Sequence, residues 1–147
     1  VLVVSAPTEA ELAPVKAVWR RLRPLGVAVS AACECHGEIR GEHDRALLPN
    51  LLLLEAAACA WDAVVVAGGP GAALVAEDAF ARELIARAAA QGRAVAALGS
   101  GRLVLERAGV AGPAFARPEA LAAWLGERFG LCAPRRERLP SLEPRAT

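Results

Sequence analysis

The residues best placed to do chemistry lie at positions 96–103, "AALGSGRL". An apolar run leads into Gly99 and a helical apolar period follows, which predicts a buried strand that turns sharply into a helix. Several enzyme folds hold a nucleophile on such a turn, where the helix N-terminus favours a negative charge. Here the apex is Gly99, followed by Ser100, so the first question is whether the Ser100 hydroxyl serves as a nucleophile.

Ser100 lacks the sequence context of a serine hydrolase. Leu98 and Arg102 do not fit the Gly-x-Ser-x-Gly pattern, and both histidines, His36 and His43, belong to a segment that follows the second predicted strand. We therefore expect Ser100 to cap the following helix, with serine-dependent hydrolysis as the alternative. Arg102 is a candidate to bind an anion in the same crevice, the alternative being a solvated residue at the helix start.

Soft metal ligands cluster at Cys33, Cys35, His36 and His43. On a strand Cys33 and Cys35 point the same way and His36 the opposite way, and zinc sites usually place two residues between paired cysteines. The pattern favours a buried or interface thiol pair with solvated histidines, and a redox or metal-sensing site is the alternative. The chain has 4 cysteines at irregular spacing, for which we expect reduced thiols.

A third motif, Gly68-Gly69-Pro70-Gly71, follows another apolar run. The backbone N–H groups of such a turn can hold a phosphate. The motif lacks the Lys-Ser/Thr pair of a P-loop and the third glycine of a dinucleotide fingerprint. We therefore predict no cofactor and interpret the motif as a structural turn that faces a crevice.

Alternating strands and helices must position these motifs. Continuous apolar runs predict four buried strands, at residues 1–4, 27–32, 62–67 and 94–98. Helical patterns separate most of them, and a small hairpin follows the second. This order predicts a doubly wound parallel α/β sheet with helices on both faces, a three-layer flavodoxin-like fold. Ligands bind outside the carboxyl ends of such strands, so three loops meet at one crevice. The predicted crevice residues are Glu11, Gly68, Gly69, Gly99, Ser100 and Arg102.

The helices follow from amphipathic periods. We expect the first to begin near Ala13, because a start further upstream would put a proline too deep in the helix. The second is predicted as one helix over about residues 75–91, with Phe80 on its buried face and Glu83 paired with Arg87 one turn later.

Composition limits the function classes. The 147 residues fit one domain, predicted at residues 1–130, followed by a Pro/Arg-rich tail at 131–147. A formal net charge of +1 argues against a nucleic-acid partner. Mean hydropathy is +0.35, but no apolar run approaches the roughly 20 residues that span a bilayer. With no leader ahead of "VLVV", we expect a cytoplasmic protein without membrane association.

Four segments, in order, resemble the ThiJ/PfpI superfamily of class I glutamine amidotransferase-like proteins. Residues 1–6 are similar to the first family strand, and "PNLLLLEA" at 49–56 to a Pro-Asp-x-x-Leu-x-Glu/Asp segment. "WDAVVVAGGPGA" resembles the signature Tyr-Asp-x-Val-x-x-Pro-Gly-Gly, and "VAALGSGRLVLERAGV" resembles the Ala-x-Cys-x-Gly elbow with the helix that follows. The resemblance covers about residues 1–112.

The resemblance implies a set of roles for the crevice. Active members carry a cysteine nucleophile at the elbow apex, which here is Gly99. Gly68 and Gly69 correspond to the turn that contributes to the oxyanion site. A family glutamate follows the first strand; an alignment without gaps places Ala13 there, whereas Glu11 or Glu9 fits after a shift.

The functional prediction is a non-catalytic ThiJ/PfpI-like domain that binds a small molecule or a protein. Glycine at the apex removes the nucleophile but keeps the turn, because glycine takes the required positive φ without penalty. The resemblance also implies a homodimer. The alternative is a hydrolase or glyoxalase-like enzyme that uses Ser100 or a water held by Glu11. A third hypothesis is a redox or metal sensor centred on Cys33 and Cys35.

Overall fold

A six-stranded sheet forms the centre of the computed structural model, which describes residues 1–6, 8–34, 38–47, 49 and 51–131. In chain order the strands are β1 Leu2–Val4, β2 Ser30–Cys33, β3 Ile39–Arg40, β4 Ala46–Leu47, β5 Leu51–Leu52, β6 Ala63–Val66, β7 Ala94–Leu98 and β8 Ala114–Phe115. Strands β3 and β4 pair in an antiparallel hairpin outside the sheet, as predicted for the segment after the second strand.

All neighbouring strands of the main sheet run parallel, in the order β5-β2-β1-β6-β7-β8. The helices that connect them lie on both faces. They are α1 Leu12–Leu22, α2 Leu53–Ala57, α3 Ala72–Glu77, α4 Ala79–Ala90, α5 Arg102–Arg107 and α6 Pro118–Arg128. Helices α1 and α6 cover one face and α2 to α5 the other, which confirms the predicted three-layer α/β/α fold.

The valines of β6 show why these strands are central. Val64 and Val66 face the layer of α2 to α5, whereas Val65 faces α1 and α6, and all three are 0% exposed. A strand covered on both faces needs apolar residues at every position rather than at alternate ones. The continuous apolar runs of the sequence therefore predicted the interior of the sheet correctly.

The single helix predicted over 75–91 is wrong, because it is two helices broken at Asp78. The Asp78 carboxylate accepts a hydrogen bond from the Ala81 N–H (3.0 Å) and caps α4, so the chain restarts its helix there. Phe80, predicted to face inward, is 45% exposed. Arg87, predicted to pair with Glu83, donates instead to the carbonyl oxygen of Ala57.

Several other boundaries differ from the predictions. Strand β2 begins three residues later than predicted, and the short β5 and α2 were not predicted, although a family motif was matched to the segment that contains them. Helix α1 begins at Leu12, one residue before the predicted start. The predicted tail lies outside the described residues except for Leu131. Across the described part of the chain, no helix is long and apolar enough to cross a membrane.

Candidate functional site

A crevice of about 430 Å³ lies where the loops after β1 and β6 meet the start of α5. Its walls are mostly small and apolar, and among the described residues that line it Glu11 alone is charged. The lining residues are Glu11, Gly69, Pro70, Ala72, Ala73, Ser100 and Leu103. Strand order reverses between β1 and β6, since the chain adds β2 on one side of β1 and β6 on the other, and this is where ligands bind in open α/β sheets.

Gly99 forms the apex of the turn between β7 and α5. Its φ of +50° is in the left-handed region, which costs an L-residue with a side chain about 1–2 kcal/mol and glycine nothing. Among described residues outside its own turn, the nearest heavy atom to a Cβ built on Gly99 is Glu11 Oε2, at 3.8 Å. The turn therefore has room for a side chain that would point toward a carboxylate.

Glu11 is the glutamate that the fold brings to this apex. It is the N-cap residue of α1, and its backbone N–H donates to the Gly68 carbonyl oxygen (2.9 Å), which fixes it to the glycine turn. Ala13 lies inside α1, and the Glu9 carbonyl accepts from the Gly71 N–H (3.0 Å). Of the three positions that the sequence left open, Glu11 is the one whose carboxylate lies near the apex.

The glycine turn after β6 packs directly against neighbouring backbone. Gly69 has a φ of +106°, and a Cβ there would collide with the Glu9 carbonyl oxygen and lie 2.8 Å from the Glu11 nitrogen. A Cβ on Gly68 would lie 2.6 Å from the Leu98 carbonyl oxygen. Glycine is therefore required for the three loops to approach one another this closely, which agrees with the structural turn predicted from the sequence.

Ser100 joins the elbow to the glycine turn. Its hydroxyl accepts a hydrogen bond from the Gly69 N–H (2.8 Å) and donates one to the Gly69 carbonyl oxygen (3.0 Å). The prediction that Ser100 caps the following helix is wrong, because the hydroxyl is directed across the crevice to Gly69 instead. Its proton is directed at a carbonyl oxygen rather than at a base, which a serine nucleophile requires.

Arg102 lies along helix α5. Its Nε donates to Glu106 Oε1 (3.0 Å) one turn later, and the side chain is 70% exposed. Of the predicted crevice residues, Arg102, Gly68 and Gly99 are not among those that line the crevice in the described structure. Binding of an anion by Arg102 stays a prediction.

The cysteine and histidine cluster is only partly described. Cys33 is 1% exposed and packs with Ala10, Leu12 and Ile39. His43 is exposed, whereas Cys35 and His36 lie outside the described residues. Within the described ranges no three His, Cys, Asp or Glu residues are grouped so that they could hold a metal. The redox or metal hypothesis stays untested.

Sequence reasoning missed Glu42, which follows β3. Its carboxylate accepts from the backbone N–H groups of Leu12 (2.9 Å) and Ala13 (2.8 Å), and it lies 3.5 Å from Arg45 Nη1. Burial alone would raise the pKa of Glu42, but the two N–H donors and Arg45 together hold this pKa below its usual value. Glu42 and Leu12 are 30 residues apart, and no local pattern indicates such a contact.

Comparisons with known proteins support the fold described above. The model of the DJ-1/PfpI family matches residues 1–114. A ThiJ/PfpI domain protein from Brachyspira murdochii superposes with a TM-score of 0.67 at 22% identity, over 73% of this chain and 62% of that one. DJ-1beta from Drosophila melanogaster gives 0.67 at 26% identity, over 75% and 61%. The chain thus spans less than two thirds of either relative.

A DJ-1 superfamily protein from Salmonella typhimurium, solved as a cysteine-to-alanine mutant, is similar over nearly its whole length. The TM-score is 0.77 at 20% identity, with 93% of this chain and 95% of that one covered. This likeness extends the shared fold past β8. Among curated proteins, none matches the sequence.

Proposed function

Because the chain belongs to the DJ-1/PfpI family, we propose that it is a non-catalytic member that binds a small molecule or a protein at the crevice. In this proposal Gly99 stands at the position of the family nucleophile. The observation that carries it is the apex itself: φ is +50°, and Glu11 Oε2 is 3.8 Å from where a Cβ would lie. The positive-φ turn and the nearby carboxylate are present, while the apex residue carries no thiol or hydroxyl.

The bonds of Ser100 support the same proposal. A serine nucleophile needs a base to take its proton, and here the hydroxyl donates to the Gly69 carbonyl oxygen. Hydrolysis by a water that Glu11 holds is the remaining enzymatic alternative. The variant Glu11→Gln distinguishes it from a non-catalytic domain. The homodimer and the cytoplasmic location stay predictions from the resemblance and the sequence.

The test measures turnover of methylglyoxal and of an activated aryl ester. We expect the wild type and Ser100→Ala to show no turnover above the buffer rate. Gly99→Cys supplies a thiol at the apex that precedes α5, and we expect turnover at least roughly tenfold above the buffer rate. That gain would show that the crevice is intact and lacks only a nucleophile.

Gly109→Cys is the matched control. Gly109 also has a positive φ, +71°, but it follows α5 and lies outside the crevice. The same substitution there adds a thiol away from Glu11 and the glycine turn. We expect it to be inactive. Turnover by the wild type that Ser100→Ala abolishes would identify a serine-dependent enzyme, and turnover that Glu11→Gln abolishes would identify a water held by Glu11. Either result contradicts the proposal.

A further inference from the structure

The start of helix α1 is capped from outside the helix. An N-cap side chain normally accepts a hydrogen bond from the second or third backbone N–H of its helix. In α1 the N-cap is Glu11, the second residue is Ala13, and the third is Pro14, which has no N–H. Glu42 Oε1 accepts from Ala13 (2.8 Å), so the N–H that Glu11 would cap is already bonded.

Glu42 Oε2 also accepts from the Leu12 N–H (2.9 Å), so one carboxylate satisfies both donors of this first turn. In the described structure the Glu11 side chain makes no hydrogen bond to its own helix. Its Oε2 lies instead near the apex at Gly99. One N-cap glutamate could not both cap the helix and face the crevice. Here Glu42 caps the helix, and Glu11 faces the crevice.

The hairpin that carries Glu42 is fixed to the same loop. The Ala10 N–H donates to the Arg40 carbonyl oxygen (3.3 Å), and Ala10 forms a β-bridge with Gly41. Ile39 is 0% exposed and packs against Leu12 and Ala10. Glu42 therefore approaches α1 on a hairpin that is held by backbone bonds and by apolar contact.

We propose that Glu42 is a positioning residue for the crevice: by capping α1 from the hairpin, it leaves the Glu11 carboxylate free to face whatever binds at Gly99. The inference rests on the proposed function only in taking this crevice as the functional site. Without Glu42 the Ala13 N–H becomes available, and the Glu11 carboxylate turns back to accept from it. In the wild type, the hydrogen-bonded carboxylate of Glu42 therefore couples the hairpin to the crevice.

The test uses Gly99→Cys as a reporter. The pKa of the thiol at position 99 is measured from the pH dependence of its alkylation, followed by peptide mass spectrometry so that the four natural cysteines do not interfere. A nearby carboxylate disfavours the thiolate, so adding Glu11→Gln is expected to lower this pKa by about half a pH unit or more.

Glu42→Gln in the same background is expected to give at least half of that decrease. Glutamine offers one acceptor oxygen, so one of the two N–H groups loses its partner. The decisive step is the double-variant cycle, in which Glu42→Gln changes the thiol pKa when Glu11 is present and has no effect when Glu11→Gln is present. Glu38→Gln removes an exposed carboxylate next to the same hairpin and is expected to leave the thiol pKa unchanged.

Equal effects of Glu42→Gln with and without Glu11 would overturn the proposal, because they would show a direct field of Glu42 on the thiol. No effect of Glu11→Gln would also overturn it. If Glu42→Gln does not fold, Glu42→Asp replaces it and is expected to give a smaller decrease that also depends on Glu11. Turnover by the wild type would contradict the proposed function, and it would leave the outcome of this titration unaffected.

Discussion

Gly99 and Gly69 both have positive φ, but their surroundings differ. Around Gly99 the nearest described atom outside the turn is 3.8 Å from a built Cβ, which is an ordinary contact distance. At Gly69 the same construction collides with the Glu9 carbonyl oxygen. Conformation alone favours glycine at Gly99, whereas conformation and lack of space together require it at Gly69.

The two alanine substitutions should therefore differ in cost. We expect Gly99→Ala to lower the free energy of unfolding by about 1–2 kcal/mol, the cost of a left-handed residue. Gly69→Ala should lose about 3 kcal/mol or more, because the backbone must also move. Urea denaturation measures both. Gly92→Ala, at φ +71° on the surface, is the control and should match Gly99→Ala; equal losses at Gly69 and Gly99 would contradict the close packing.

At this scale the sequence predicted the apex but not its partners. The strand-turn-helix pattern is local, so Gly99 could be found from its neighbours. Residues 8–12 have no apolar period that predicts the direction of a side chain, and the alignment without gaps pointed to Ala13. The sequence therefore could not decide which of Glu9, Glu11 and Ala13 lies at the apex. The hydroxyl of Ser100 was expected to bond within its own helix, but the better partner, Gly69, is 31 residues away.

At the scale of elements, the contact between the β3–β4 hairpin and the start of α1 depends on the ionised carboxylate of Glu42. The bonds from Leu12 and Ala13 require the charged form of Glu42 as acceptor, and the positive end of the α1 dipole favours it as well. The pattern of apolar residues predicted the buried face of α1 and, except for Phe80, that of α4. It did not predict where helices begin, as Asp78 shows, because a cap is a single hydrogen bond and leaves the apolar period unbroken.

Stability should depend on the ionisation of Glu42. A folded-state pKa below the usual value of about 4.3 means that the contribution is complete above that value and disappears as the pH falls through the lowered pKa. We expect Glu42→Gln to cost about 1–2 kcal/mol at pH 7 and less than half as much at about pH 3. Urea denaturation of both proteins at the two pH values measures this difference.

Glu38→Gln serves as the control for removing a negative charge near the hairpin. Because Glu38 is exposed, this substitution should change stability by less than about 0.5 kcal/mol at either pH. A cost of Glu42→Gln that is the same at pH 7 and pH 3 would mean that the charge of Glu42 does not matter to the cap.

For the whole molecule, the sheet separates two apolar layers that share its strands. The alternation of strands and helices predicted this architecture, because it follows from buried runs and right-handed crossovers. The sheet edges were harder to predict. Strands β5 and β8 have two residues each, too few to show a period, and they depend on pairing with β2 and β7.

Shared strands predict that the two layers unfold together. Val65 and Val66 are adjacent in β6, are both 0% exposed, and face opposite layers. We expect Val65→Ala and Val66→Ala each to cost about 1–3 kcal/mol, because each leaves a cavity in its own layer.

Tryptophan fluorescence can follow each layer separately. Trp61 packs against the layer of α2 to α5, and Trp124 against that of α1 and α6. In a Trp61→Phe background the fluorescence reports the layer of α1 and α6. In a Trp19→Phe, Trp124→Phe background it reports the layer of α2 to α5. We expect both backgrounds to give the same urea midpoint shift for Val65→Ala, because a cavity on one face weakens strands that the other face also needs. A shift confined to one background would show that the layers unfold independently. The crevice, which takes residues from the N-cap position of α1 and from α3, would then not be held by one cooperative unit.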